Sequence, residues 1–426
     1  MFKRLLVGVL FLALVIPAFA SLAPTSAQEE ITLRWRTRPD NQAEADVYQA
    51  ASDEIDAAWD GVTLKYEPGG SETASYQDVL ITELTAGTAP DLFWIPGTDV
   101  ARFAKLGLIL NLADLAAADP TFSQDDFYPQ IMQHVTYSLD GNPALWGLPR
   151  DVSAFVIFFN KDLFDEAGVP YPTETDPWDW DAFYNAAKAI SDLGEEIKGF
   201  GMNAWWANYG YFINAAGSSF FNEDFSACGL NNPGTVEGLT FARKLYQEGI
   251  AVPWGEDSEP PFLAGNVGMF FNGRWATPGV MTNAKFNWDV AELPAGPAGP
   301  SNWLFWGAYV INAKTEHPEE AWQLLMKLTS PEIQGKVAAL GANIPSRAYS
   351  DQSAIDAFLA TFDGKINNQA WLNGLTYAVA EAPLWKGDWP KIDVAYFNGV
   401  TKVLNGEMTP QEFADTICQE ADLYFE

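Results

Sequence analysis

The sequence predicts an α/β protein with parallel strands, arranged in two lobes. Near the start, segments alternate strand, helix, strand, helix, strand over residues 31–37, 43–59, 62–66, 76–86 and 89–94. That order gives parallel strands joined by right-handed crossovers. In the middle, the unbroken apolar run Phe155-Val156-Ile157-Phe158-Phe159 reads as a strand buried on both faces. The charged pair Arg150 and Asp151 stands at its mouth, and a second set of helices and strands follows it. A doubly buried strand so placed suits a crossing between two lobes.

Each element has a local reason. Residues 31–37 alternate apolar and polar side chains. In 43–59, Val47, Ala50, Ala51, Ile55 and Ala58 recur at helical spacing, and Gly61 breaks the run. In 76–86, Tyr76, Val79, Leu80 and Leu84 share a face and Gly87 is the stop. Residues 100–115 read as helical or mixed, and 127–137 as a helix before the turn at 138–142. After the apolar run, Asn160-Lys161-Asp162 opens a short helix, which Gly168 ends. Asp179 is placed to cap a helix over 182–191. Its neighbours Asp176 and Asp181 fit dipole compensation better than calcium binding, since the glycine and final glutamate of a calcium loop are missing. Residues 199–203 read as a strand that delivers Trp205 and Trp206 into a loop. Helices follow over 211–216 and 233–248, then from His317 to Thr329, and again from Ser330-Pro331-Glu332.

Composition narrows the function. The 426 residues carry 56 acidic and 24 basic side chains, a net charge of -32. The basic footprint of a nucleic-acid binder is missing, and the field favours neutral or cationic ligands over anionic ones. Lys3 and Arg4, the apolar run 5–19, and small residues at cleavage spacing make 1–27 an export leader. The run is short for a membrane span. No cysteine stands at the processing site, so no lipid anchor is expected. The only cysteines, Cys228 and Cys418, are a disulfide or two buried thiols; an oxidising compartment and an even count favour the bridge. With two histidines, no metal-ligand spacing, no nucleophile elbow and no phosphate or dinucleotide loop, neither catalytic residues nor a cofactor or metal are expected. A secreted glycosidase stays open, because it needs only two carboxylates.

Four stretches carry a family resemblance: GLPRDVSAFVIFFNKDLFDEAGV at 147–169, AGTAPDL at 86–92, FLAGNVGMFFNGRW at 262–275 and WGAYVIN at 306–312. Together they resemble bacterial extracellular solute-binding proteins of the maltose-binding type, the capture subunits of sugar importers. In the third stretch Met269, Gly273 and Trp275 match the family pattern, while Gly268 stands where relatives carry alanine. The resemblance covers nearly the whole mature chain. It implies a two-lobed periplasmic-binding-protein fold with a ligand cleft between lobes joined by hinge crossings. The N-terminal lobe would take 29–143 plus 309–345, and the C-terminal lobe 144–308 plus 346–426. Cys228 and Cys418 then share a lobe, which supports their pairing. The implied function is capture of a mono- or oligosaccharide and delivery to the membrane permease of an ABC importer, by a monomer that is not an enzyme. A polyamine or other cationic solute is the alternative ligand, and a secreted carbohydrate-active enzyme the alternative outside binding proteins.

A site for such a ligand belongs at strand ends facing the cleft. Aromatic rings accept the C–H faces of a sugar, and Asp, Asn, Gln and Arg meet its hydroxyls. The candidates are Asp40, Asn41 and Gln42 after the first strand, Trp94 at the end of the third, Arg150 and Asp151 at the crossing, Trp205 and Trp206, Arg274 and Trp275, Trp306, and Trp389 in a late Pro/Gly-rich loop. Gly273 is expected to let backbone approach the ligand. The resemblance puts ligand contacts at Trp275, at Arg150 or Asp151, at Trp205 or Trp206, and at Trp389. Core packing competes equally for Trp94, Trp303 and Trp306, and a mutual ion pair for Arg150 and Asp151. Trp35, Trp59, Trp146, Trp288, Trp322 and Trp371 read as core.

Overall fold

The computed structural model describes residues 31–39, 42–70, 76–173, 177–349 and 351–425. The leader at 1–27, Asp40, Asn41 and Asp176 lie outside the described residues. Two sheets organise the rest. Strands β1 (Ile31–Thr37), β2 (Val62–Pro68), β3 (Leu92–Pro96), β4 (Leu148–Ser153), β5 (Phe155–Asn160), β6 (Lys198–Met202), β7 (Val267–Gly273), β8 (Trp288–Ala291), β9 (Asn302–Ile311), β10 (Ile344–Pro345) and β11 (Ala378–Ala380) follow in chain order. The first sheet runs β10-β4-β9-β3-β1-β2, with β11 pairing the start of β9; the second runs β6-β7-β5-β8. The expected parallel unit is present, since β1 pairs β2 and β3 in parallel. Its two helices, Gln42–Ala57 and Tyr76–Ala86, lie at the expected places.

Strand β5 is buried along all six residues because the chain covers both its faces. Val156 and Phe158 join the core that runs up from the first sheet, and Phe155, Ile157 and Phe159 join a second core. This is the period-2 alternation of a strand, with both faces apolar. The helix after it starts as expected: Asn160 Oδ1 accepts from the backbone N–H of Asp162 and Leu163, and Gly168 ends it at φ 65°. Asp179 caps the helix Trp180–Ser191 by accepting from Ala182 N–H at 2.8 Å.

Two passages between the sheets meet at one buried amide. The chain leaves the first sheet at Ser153 and enters the second at Phe155. It returns into β9 at Asn302. The Asn302 Oδ1 accepts from Phe155 N–H at 2.9 Å, and its Nδ2 donates to Phe155 C=O at 2.8 Å. The side chain thus replaces a strand neighbour for Phe155 where the two sheets part. The pairings assign the strands beside these passages to their sheets. Residues 148–153 pair with β9 and β10 in the first sheet, and β9 belongs to that sheet from residue 302 onward. The physical reason is that hydrogen-bond partners, and not the apolar run, decide which sheet a strand joins.

Cys228 and Cys418 are bridged, with Cα atoms 5.2 Å apart and a sequence separation of 190. The bridge ties the hairpin at Phe221 and Cys228 to the helix Pro410–Ala421. Closing so long a loop limits the unfolded chain and contributes at most about 5 kcal/mol by the entropic model. Thiol labelling of the denatured, unreduced protein is expected to find no free thiol, and Cys228→Ser with Cys418→Ser to lose stability in denaturant titration. Two labelled thiols would contradict the bridge.

Candidate functional site

A cleft of about 510 Å³ opens between the sheets, at the ends of β3 and β7 and along β4 and β9. Trp94, Arg150, Asp151, Trp205, Trp206, Trp275 and Trp306 all line it. Residues without a sequence motif join them: Arg38, Gln77, Phe305, Asn343, Glu381 and Asp393. Arg38 follows β1 as Asp40 does, which is the one signal that pointed near it. Glu381 and Asp393 come from the C-terminal third, and only the fold brings them here.

Three indoles of the cleft owe their positions to glycines. A Cβ at Gly307 would overlap the ring of Trp94, one at Gly97 the ring of Trp306, and one at Gly273 the ring of Trp275. None of the three glycines has positive φ. They are required by contact and not by torsion, because each ring lies directly on the chain. Gly273 therefore makes room for the ring of Trp275. Trp205 lies over Phe305 with centroids 5.3 Å apart at 23°, and Trp275 meets Phe305 edge-on at 5.2 Å. Both tryptophans are half-buried, so each keeps ring surface open to the cleft. Trp94 and Trp306 are buried more deeply but still reach the lining.

Arg150 and Asp151 form the mutual ion pair that competed with a ligand role. Arg150 Nε donates to Asp151 Oδ2 at 2.7 Å, and its Nη1 donates to Thr37 Oγ1 at 2.8 Å. The guanidinium also lies 4.9 Å from the centre of the Trp94 ring, and that of Arg38 lies 4.8 Å from it. Cations over an indole face are attracted to its negative quadrupole. Trp94 Nε1 is buried and has no hydrogen-bond partner, which leaves one donor at the cleft wall.

Several candidates lie elsewhere. Arg274 is fully buried and turns away from the cleft, into a box made by Phe358, Phe362 and Trp371. Its Nη1 donates to Asn368 Oδ1 at 2.6 Å and its Nη2 to Thr361 Oγ1 at 2.7 Å. Burial brings its pKa down to about 9. Arg274 therefore fastens the late segment 358–371 under the end of β7. Gln42 is exposed in the first turn of its helix and bonds Asp46 at 2.7 Å. Trp389 begins the helix Trp389–Leu404 instead of lying in a loop, and it lines a separate chamber beside the cleft. Trp206 likewise begins a helix, Trp206–Ala215, instead of continuing a loop. Trp35, Trp146, Trp322 and Trp371 are buried as expected, while Trp59 and Trp288 pack partly buried against the core. Among the described residues no group of His, Cys, Asp and Glu could hold a metal ion.

The family description "bacterial extracellular solute-binding protein" matches residues 42–335. The chain belongs to that family. A binding protein of Brucella abortus is 25% identical to this solute-binding protein over 380 residues, 85% of each chain. The galactooligosaccharide-binding protein of Bacillus subtilis is 25% identical over 330 residues, 74% of this chain and 72% of its own. Among solved structures, an ABC substrate-binding protein of Listeria monocytogenes in complex with cycloalternan superposes with a TM-score of 0.81 at 22% identity, covering 92% of this chain and 98% of its own. That likeness establishes the two-lobed fold. No described helix is long and apolar enough to cross a membrane.

Charge in the cleft of this solute-binding protein is nearly balanced. Arg38 and Arg150 face Asp151 and Asp393. Burial, with a smaller push from Asp99, raises the Glu381 carboxyl to about 8, so it is mostly neutral at pH 7. Burial raises Asp393 to about 6. The raised Glu381 has a definite sign in stability. From its ordinary 4.5 up to about 8 the folded state keeps a proton that the unfolded state has lost, so stability falls as pH rises through that window. Glu381→Gln keeps the neutral shape and removes this loss. Denaturant titrations at several pH values are expected to show the wild type losing on the order of a few kcal/mol relative to the variant across that window. Parallel curves would contradict the assignment.

Proposed function

We propose that this solute-binding protein captures a neutral carbohydrate in its interlobe cleft and hands it to the membrane permease of an ABC importer. The observation that carries the reading is the cleft lining: indoles with open ring surface, beside cations and carboxylates that nearly cancel. A sugar ring offers electropositive C–H groups to an indole face and loses water from its apolar surface on stacking. Its hydroxyls find Asn343, Gln77, Asp393 and the neutral Glu381 around the same space. A polyamine would need an excess of carboxylates there, and the pairing of Arg150 with Asp151 removes one. The names of relatives point the same way, since galactooligosaccharide and cycloalternan are carbohydrates.

In this reading residues 1–27 direct export and the mature protein works outside the cytoplasm, as one copy and without catalysis. The lobes follow the two sheets, with passages at Ala154 and before Asn302. Trp275 and Trp205 are the stacking platforms. Trp94, held by Gly307 and two arginines, and Trp306, held by Gly97, shape the floor, and Arg150 fixes Asp151 at the hinge.

Titration calorimetry of a sugar panel at low and high salt tests the reading. Trp275→Ala is expected to lose about 1–3 kcal/mol of binding, by analogy with aromatic stacking on other planar ligands. That is a roughly tenfold to hundredfold fall in affinity. Wild-type affinity should barely change with salt, whereas a cation held by carboxylates would weaken steeply as salt screens them. A folded Trp275→Ala with wild-type affinity removes Trp275 from the site. Steep salt dependence moves the ligand from sugar to cation.

A further inference from the structure

Beside the cleft lies a second chamber of about 230 Å³. Thr98, Trp206 and Glu381 line both spaces, so the two adjoin. Its walls are aromatic, with Phe220, Phe221, Phe225, Trp303 and Trp389 around it. Several of its polar groups are already engaged within the protein. Ser218 Oγ pairs with Thr235 Oγ1 and accepts from Asn232 Nδ2, each at 2.7 Å. Tyr377 O–H donates to Glu292 at 2.7 Å, and Trp303 Nε1 donates to Ala207 C=O at 2.8 Å. Thr98, Asn214, Ser219, Ser301 and Glu381 also line it, but it lacks the arginines, Gln77, Asp151, Asn343 and Asp393 of the cleft, so a pyranose would meet fewer hydroxyl partners there, which is costly beside so many aromatic rings. Val379 also lines the chamber, and it is 51% exposed despite being apolar. An occupant of the chamber would cover it.

The volume sets the size of that occupant. A dry apolar cavity of about 150 Å³ holds one benzene, so this chamber takes a single ring or a short hydrocarbon. The hairpin that supplies Phe221 and Phe225 is fixed by the Cys228–Cys418 bridge, and Cys228 N–H also donates to Asp422 at 2.8 Å. The wall is therefore held in place before any ligand arrives, which lowers the ordering cost of binding.

We propose that the preferred ligand is a glycoside with an apolar aglycone of about one ring: the sugar occupies the cleft and the aglycone enters the aromatic chamber. The proposal rests on the carbohydrate reading of the cleft and names the chemistry of its ligand more closely. Burying a phenyl group there should raise affinity about tenfold to a hundredfold over a methyl group on the same sugar.

Calorimetry with paired methyl and phenyl β-glycosides of glucose, galactose and maltose tests it, on the wild type and on two chamber-filling variants, Ala382→Leu and Ser219→Leu. The expected result is a phenyl glycoside that binds at least tenfold more tightly than its methyl partner, with the gain lost in a filled variant that keeps the methyl glycoside's affinity. Methyl glycosides binding as well as phenyl ones would overturn the proposal while leaving the carbohydrate reading intact. So would a gain that persists in both filled variants. Binding of neither series by the wild type would remove the carbohydrate reading and this proposal with it.

Discussion

The structure depends on one buried side chain, Asn302. Its amide satisfies both backbone groups of Phe155, where the first sheet has ended and the second is beginning. A buried backbone pair without partners would be costly at that point. With the pair satisfied by a side chain 147 residues away, the two passages of the chain lie side by side. The strands running from this joint into each sheet bring their ends to a common space, and that space is the cleft.

The same economy of contact governs the cleft walls. Trp94, Trp275 and Trp306 lie close against glycine backbone, so their rings are positioned by strands and turns. Two arginines lie near the face of Trp94, and one of them is neutralised by Asp151. The strongly acidic chain therefore presents a cleft with little net charge. Long-range repulsion of anions and local acceptance of a neutral ligand come from different parts of the molecule.

Much of the fold was legible because periodicity and caps are local. The unit at 31–94, the doubly buried run at 155–159 and the caps at Asn160, Asp179 and Ser330 lie where their side chains demanded. The sheet membership of 148–153 was not, because strand pairing is decided by distant β9. In the site, Trp205, Trp275 and Trp306 were legible as aromatics beside glycine and loop signals. Arg274 was misplaced because the residues after β7 form a 3-10 turn, whose consecutive side chains point about 120° apart, and no sequence period marks which one faces the cleft. Glu381 and Asp393 carry no motif, and Trp389 was placed in a Pro/Gly-rich loop although Pro390 stands in the first turn of a helix, where proline is tolerated.

The central claim is that two lobes turn about the joint at Ala154 and Asn302 and that ligand, touching both, holds them together. A ligand shifts such an equilibrium only by binding the closed form better. Small-angle X-ray scattering with and without a saturating sugar identified by calorimetry measures this most directly. The account predicts a smaller radius of gyration with ligand. An unchanged profile, with binding confirmed on the same sample, would contradict it.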